Sequence, residues 1–372
     1  MNGSALSGTA CAIDSTAAAS LTVHAGLADL PEAATHLFAD PAEDLFASHL
    51  WFSTLIAHGL PAQSSPLFAV CGAGGRPFAM LSLAVRAGTG ELGPLTCPYT
   101  CVYRPLFAPG APGASAATAG ALIGRLLRGP APVRLDALAA EAPGLDPFIA
   151  GLRSAGLAVL RFEHFGNWQE SVAGRSFAEY LAARPGALRT TIRRKARRRA
   201  EVERGFSLIT GGAELARGIA AFEAVYARSW KAPEPYPGFQ PALMRATAAA
   251  GLLRLGVLRL SGQVAAAQLW IVSGGRAMLL KLAHDESLAA ASPGTVLTAL
   301  MIELLLGRER IDELDFGRGD DPYKRLWASG RRQRIGLVLA DPRSARGIAE
   351  IGRSFVGSGR RRLLAVLGQG RS

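Results

Sequence analysis

The chain has 372 residues, 49% of them hydrophobic and 19% charged, a balance that suits a globular protein long enough for two domains. No apolar run approaches the roughly 20 residues of a membrane span. Four cysteines (Cys11, Cys71, Cys97, Cys101) are too few and too scattered for a disulfide framework, and no histidine or second cysteine pair follows Cys97 and Cys101 at metal-ligand spacing, so no metal is expected. The net charge of +12 is unevenly held: residues 1–180 carry 9 basic and 13 acidic groups, residues 181–372 carry 32 and 16. The second half therefore suits a polyanionic ligand, whether an acyl-CoA, tRNA or an anionic membrane face.

In chain order, residues 1–20 are rich in Ala, Ser, Thr and Gly without a basic or continuous apolar region, and read as a disordered leader of a cytoplasmic protein. Residues 21–164 read as a first α/β domain. Apolar spacing predicts a helix over Phe46–His58, strands over Leu67–Cys71 and Pro77–Val85 paired around the Gly72–Arg76 turn, further strands over Val133–Leu138 and Leu157–Phe162, and a helix between them near Pro147–Ala155. This half offers neither a phosphate loop nor a charged cluster, and is expected to shape an acceptor groove.

A second domain is expected over residues 165–341. Leu188–Arg204 is a strongly basic helix with a stripe of Leu188, Ile192, Ala196 and Ala200. It is either a solvated helix or a phosphate-binding one, since its arginines are not interleaved with aromatics that would stack on bases. A strand over Phe206–Thr210, helices over Glu214–Trp230 and Pro241–Ala250, and a hairpin of Leu252–Leu260 with Gln263–Val272 around Ser261-Gly262 follow. In that hairpin Gln268 and Trp270 share one face of their strand, opposite Leu269 and Ile271.

The organising stretch comes next: a strand to Leu282, a loop closing on Ser292-Pro293-Gly294, a helix over Val296–Leu306, a strand over Ile311–Phe316 and a glycine-bearing turn into another helix. A loop of small residues feeding a helix N-terminus leaves unpaired N–H groups for an anion such as a pyrophosphate. A last strand covers Arg331–Ala340. The basic tail, residues 342–372, has the pattern of either a solvated segment or an amphipathic helix on an anionic membrane. Lysine occurs only at 195, 231, 281 and 324 against 37 arginines, and three of the four fall within the Ser229–Lys231, Lys281–Asp285 and Asp315–Lys324 segments.

Five segments carry a resemblance to the GNAT acyltransferase superfamily, in the branch of FemAB-like peptidyl-transferases and CelD-like polysaccharide-cluster proteins. They are Ser229-Trp-Lys231, Ala267-Gln-Leu-Trp270, Lys281 to Asp285, Ser292-Pro-Gly294, and Asp315 to Lys324. The resemblance implies tandem GNAT-like α/β domains with mixed sheets flanked by helices, the first degenerate. It implies acetyl-CoA or another acyl-CoA as donor, held on Leu282, Ala283, Ser292, Gly294 and Thr295, and an amine acceptor from a sugar or cell-envelope precursor near Trp230, Lys231, Gln268, Trp270, Lys281, Arg318 and Lys324. The loop departs from the usual paired-glycine phosphate signature, offering one glycine and a proline, which keeps an aminoacyl-tRNA donor open.

Acyl transfer from a thioester needs a base for the amine and a proton source for the thiolate. Asp285 and Asp315, at strand ends, are the candidate bases, with helix capping as the competing role of Asp285. Tyr323 is the candidate acid, and Lys231, Lys281 or Lys324 the candidate seat for an acceptor carboxylate or phosphate. A third reading makes the chain a non-catalytic scaffold of a polysaccharide synthase. No Gly-x-Ser-x-Gly elbow or Gly-x-x-x-x-Gly-Lys loop is present, so hydrolase and nucleotidase readings fall away.

Overall fold

The structure is a computed structural model that describes residues 18–110, 113–196 and 205–354. Most of the expected leader, the end of the basic helix at 197–204 and the tail from 355 lie outside the described residues.

Two sheets organise the chain. The smaller holds β1 (Ser20–His24), β2 (Ser64–Ala73), β3 (Arg76–Arg86) and β4 (Leu92–Pro94) in that order, with β5 (Leu106–Phe107) also pairing with β3. The larger is eight-stranded, in the order β6 (Val133–Ala139), β13 (Gly330–Ala340), β7 (Ala158–Ser171), β12 (Glu313–Arg318), β11 (Arg276–His284), β10 (Gln263–Ser273), β9 (Leu253–Leu260), β8 (Phe206–Ile209). Helices cover their faces: α1 (His49–His58), α2 (Gly113–Leu126), α3 (Leu145–Ser154), α4 (Phe177–Ala182), α5 (Gly186–Ala196), α6 (Leu215–Ala227), α7 (Phe239–Ala249) and α8 (Pro293–Arg308). The fold class is thus the expected mixed α/β arrangement.

The two halves are not separated in the large sheet. β6 comes from the first half, and the C-terminal β13 inserts between it and β7, antiparallel to both. The expected boundary at 164/165 falls inside β7, a single 14-residue strand. Its second half carries Asn167 and Glu170, both buried. Glu170, 4% exposed, accepts from Arg184 at 2.7 Å, Arg175 at 3.0 Å and the Ser329 backbone at 2.8 Å, tying β7 to α4–α5 and to the start of β13.

Three apolar clusters fill the layers, one around Trp51, Phe52 and Phe239, one around Phe148 and Leu337, one around Trp270, Phe316 and Trp327. Burial of each such side chain contributes about 2–3 kcal/mol. The first cluster joins α1 to α6 and α7, so the first half packs directly on the second. Gly274, at φ 57°, turns β10 into β11 where a Cβ would lie 2.2 Å from the Glu43 carbonyl, and its N–H donates to Ala42 at 2.6 Å. Among the described residues no helix is long and apolar enough to cross a membrane.

Candidate functional site

The parallel strands β11 and β12 pair only over Arg276–Met278 and Glu313–Asp315. Beyond that point Gly317, at φ 66°, turns β12 away from β11, while Arg318 stays paired with Asn167 of β7 on the other edge. A Cβ on Gly317 would meet the Leu279 carbonyl at 2.8 Å, which is why the parting of the strands needs glycine. From Leu279 onward β11 has β10 on one side and, among the described residues, no strand on the other. Its backbone groups there are free for a ligand. The register places Leu279 opposite Trp270 and Lys281 opposite Leu269, leaving Leu280 as a bulge.

The opening between the strands is a cleft of about 1050 Å³. One wall is the N-terminus of α8: Ser292, in the left-handed region at φ 54°, precedes Pro293 and offers no side-chain cap, so the first N–H groups of the helix are left to the cleft. Gly294 stands where a Cβ would lie 3.2 Å from Nδ1 of His284, the last residue of β11. That imidazole nitrogen is buried with no hydrogen-bond partner among the described residues, and Trp230 lies over the ring at 4.4 Å. Burial, with Lys231 nearby, holds the His284 imidazolium below the ordinary histidine value. The ring is therefore neutral and able to accept a proton.

The floor at Tyr323 is a chain of buried hydrogen bonds. Trp270 Nε1 donates to Gln268 Oε1 at 2.6 Å, Gln268 Nε2 donates to Thr298 Oγ1 at 2.6 Å, and Thr298 Oγ1 lies 2.8 Å from the Tyr323 hydroxyl and 2.9 Å from the Gly294 carbonyl. Thr298 has one proton, which goes either to Gly294 or to Tyr323. In the second arrangement the Tyr323 hydroxyl can donate into the cleft or, weakly, to the Gly294 carbonyl at 3.4 Å. Burial raises that phenol to about 12, so it stays protonated and acts as a hydrogen-bond donor.

The opposite wall carries Tyr99 from the first half, Tyr226, and the proline-flanked loop from Lys231 to Pro235. Glu234 is its hub, accepting from Lys281 at 2.5 Å and from Tyr99 at 2.5 Å. Burial alone would raise that carboxyl, but Lys281, Tyr226 and Tyr99 outweigh it and hold Glu234 below the usual carboxylate range. It is a fastened anion, not a free base.

Of the residues expected from sequence, Tyr323, Leu282, Ser292, Gly294, Thr295, Trp230, Lys231, Lys281, Arg318 and Lys324 line this cleft. Five do not. Asp285 is 2% exposed and its carboxylate is consumed by Ser287 Oγ at 2.6 Å, Ser287 N at 3.0 Å, Arg228 at 2.7 Å and Gln263 at 3.0 Å. The Ser287 and Arg228 hydrogen bonds lower it to about 2, which leaves it a cap and not a base. Asp315, 5% exposed, is held by Asn167 at 2.7 Å, the Gly317 N–H at 2.7 Å and Arg332 at 3.0 Å, behind the cleft. Ala283 faces the first-cluster core. Gln268 and Trp270 share a face as expected, but sit beneath the cleft, where Gln268 touches Thr298 at 2.6 Å and the Gly294 carbonyl at 3.3 Å. The turn after Asp321 leads into a single 3-10 turn at Lys324–Leu326, in place of the expected helix.

Sequence reasoning passed over Tyr99, Glu234 and His284. His284 stands within the Lys281–Asp285 segment, where the adjacent Asp285 carboxylate is the more conspicuous candidate base. Among the described residues no three His, Cys, Asp or Glu side chains gather as a metal site.

The parted parallel strands, the bulge and the uncapped helix all lie within residues 276–318. Residues 186–325 match the family model described as Acetyltransferase (GNAT) domain. A search of curated protein sequences finds no match. Among solved structures, the chain resembles a crystal structure of FemX at 10% identity, covering 83% of this chain and 96% of that one with a TM-score of 0.53. It also aligns with a tandem GNAT protein from the clavulanic acid biosynthesis pathway (14% identity, 87% and 98% covered, TM-score 0.46). A conserved protein of unknown function from Bacteroides thetaiotaomicron aligns at 10% identity, with 78% and 89% covered and a TM-score of 0.49. At such identities the FemX likeness concerns the fold alone.

Proposed function

We propose that this protein is an N-acyltransferase that moves an acyl group, acetyl in the simplest case, from acyl-CoA to the amine of a sugar or cell-envelope precursor. The observation that carries this reading is the parting of β11 and β12 directly beside the uncapped N-terminus of α8. An extended pantetheine would pair with the free edge of β11 at Leu280 and Leu282, and its pyrophosphate would sit on the N–H groups around Gly294 and Thr295.

His284 is the base in this reading, replacing the two aspartates. A neutral imidazole at the strand end takes the proton from the attacking amine. Tyr323, held by Thr298, donates a hydrogen bond to the departing sulfur. A phenol near 12 gives up its proton less readily than a thiol near about 8.5, so Tyr323 stabilises the thiolate by donation more than by complete transfer. Gln268 and Trp270 are positioning residues in this scheme.

The test is release of free thiol from acetyl-CoA in the presence of amino sugars and other small amines. Acceptor-dependent release that is lost in His284→Gln supports the reading, and no release with any acyl-CoA and amine refutes it.

A second reading, aminoacyl transfer from tRNA, is favoured by one observation. The basic α5 lies against α8, and Lys195 donates to the Ala290 carbonyl at 2.8 Å, beside the cleft wall. It predicts tRNA binding that weakens steeply with salt.

A further inference from the structure

We propose that the cleft takes an acceptor bearing an anionic group, a carboxylate or a phosphate, close to its amine, and that Lys231 seats this anion. The proposal deepens the transferase reading and rests on it for naming the ligand as the acceptor.

Four cationic side chains line the cleft. Lys281 is closed off by Glu234 at 2.5 Å and lies over the Tyr99 ring. Lys324 donates to the Arg318 carbonyl at 2.6 Å and pairs with Asp321 at 3.5 Å. Arg318 has its guanidinium on His164 at 3.2 Å and over the Phe165 ring at 4.5 Å. Lys231 differs. Among the described residues no oxygen reaches its ammonium, which has only the faces of Trp230 at 5.5 Å and Tyr226 at 5.9 Å.

An ammonium drawn out of water without a counter-ion is costly, and an arriving anion removes the cost. Two further cations, Lys281 and Lys324, raise the local potential, while Glu234 and Asp321 are already paired with them. Burial and the Lys281 charge hold Lys231 down to about 8, so the free site is charged at neutral pH and a bound anion would raise that value. The neighbouring Trp230 is 51% exposed, offering its outer face to the body of the ligand. Lys231 and His284 flank the same indole, so an anion on Lys231 brings an adjacent amine toward the imidazole.

The experiment uses matched probes that differ in one anionic group: glycine against glycinamide for a carboxylate, and glucosamine 6-phosphate against glucosamine for a phosphate. Calorimetric titration of the full chain at pH 7 is expected to favour the anion-bearing member of at least one pair by about tenfold or more. The pair that shows it identifies the anion. The preference is expected to vanish in Lys231→Gln, to persist in Arg189→Gln, which removes the same charge from α5, and to fade between pH 7 and 9.5 as Lys231 loses its proton. Equal or absent binding within both pairs, or a preference surviving in Lys231→Gln, overturns the proposal. So does intact-mass detection of an acetyl group on Lys231 after acetyl-CoA alone, because the lysine would then be a nucleophile. Acetyl-CoA titrated separately distinguishes failure of the transferase reading: no donor binding counts against that reading, while the probe pairs still decide the anion seat.

Discussion

Thr298→Val separates the chemistry of Tyr323 from its packing. Valine keeps the volume of threonine but removes the oxygen that accepts from Gln268 at 2.6 Å and lies 2.8 Å from the Tyr323 hydroxyl. Gln268 keeps a weaker contact to the Gly294 carbonyl at 3.3 Å, so one buried donor is under-satisfied, not orphaned. That costs about 1–3 kcal/mol of stability. Tyr323→Phe should lose about 10²-fold in kcat, the usual loss for one donor aimed at developing charge. Thr298→Val should lose about tenfold, because the phenol remains but is oriented only by its long contact to the Gly294 carbonyl at 3.4 Å. The assay is thiol release at saturating acetyl-CoA and acceptor, with thermal melts run in parallel. If the two residues act as a unit, the double variant is no slower than Tyr323→Phe alone. Full activity in Tyr323→Phe, or losses that simply multiply in the double variant, would refute the relay.

Three other consequences are open to measurement. The depressed His284 value puts the acid limb of kcat/KM below the ordinary histidine value of about 6.5, and His284→Gln should abolish that limb along with about 10²-fold of rate. Glu170→Gln leaves Arg184 charged and buried, and should cost about 3 kcal/mol, seen as a lower melting temperature. Because Glu170 and Asp285 titrate below their unfolded values, both stabilise the fold above pH about 4. That contribution should be lost as pH falls through their folded values, and Asp285→Asn should flatten the lower part of the acid transition.

The second half of the chain was largely legible because its signals are local. Apolar periodicity marked α8, alternation marked β9 to β11, and Ser261-Gly262 turned the first hairpin as read. β7 was cut short at Phe162 since the polar residues that follow, His164, Asn167, Gln169 and Glu170, look like loop. Two of them, Asn167 and Glu170, are buried and fully engaged, by Asp315, Arg332, Arg184 and Ser329. The same network explains the misplaced base: Asp315 is satisfied behind the cleft by Asn167 of β7 and Arg332 of β13, neither of which its own polar run announces. Glu234 and Tyr99 stand 135 residues apart and meet only because the first half packs on α6 and α7, a contact that no motif announces.

The central claim, that the parted strands and the α8 N-terminus hold an acyl-CoA, is tested most directly by calorimetric titration of acetyl-CoA into the wild type and Gly294→Trp. Gly294 has ordinary helical geometry, and its Cβ position looks toward His284 and Leu282. The account predicts saturable binding to the wild type that Gly294→Trp abolishes, with the variant's melting temperature held within a few degrees. Binding of equal strength in a folded Gly294→Trp, or no binding to the wild type, would contradict it.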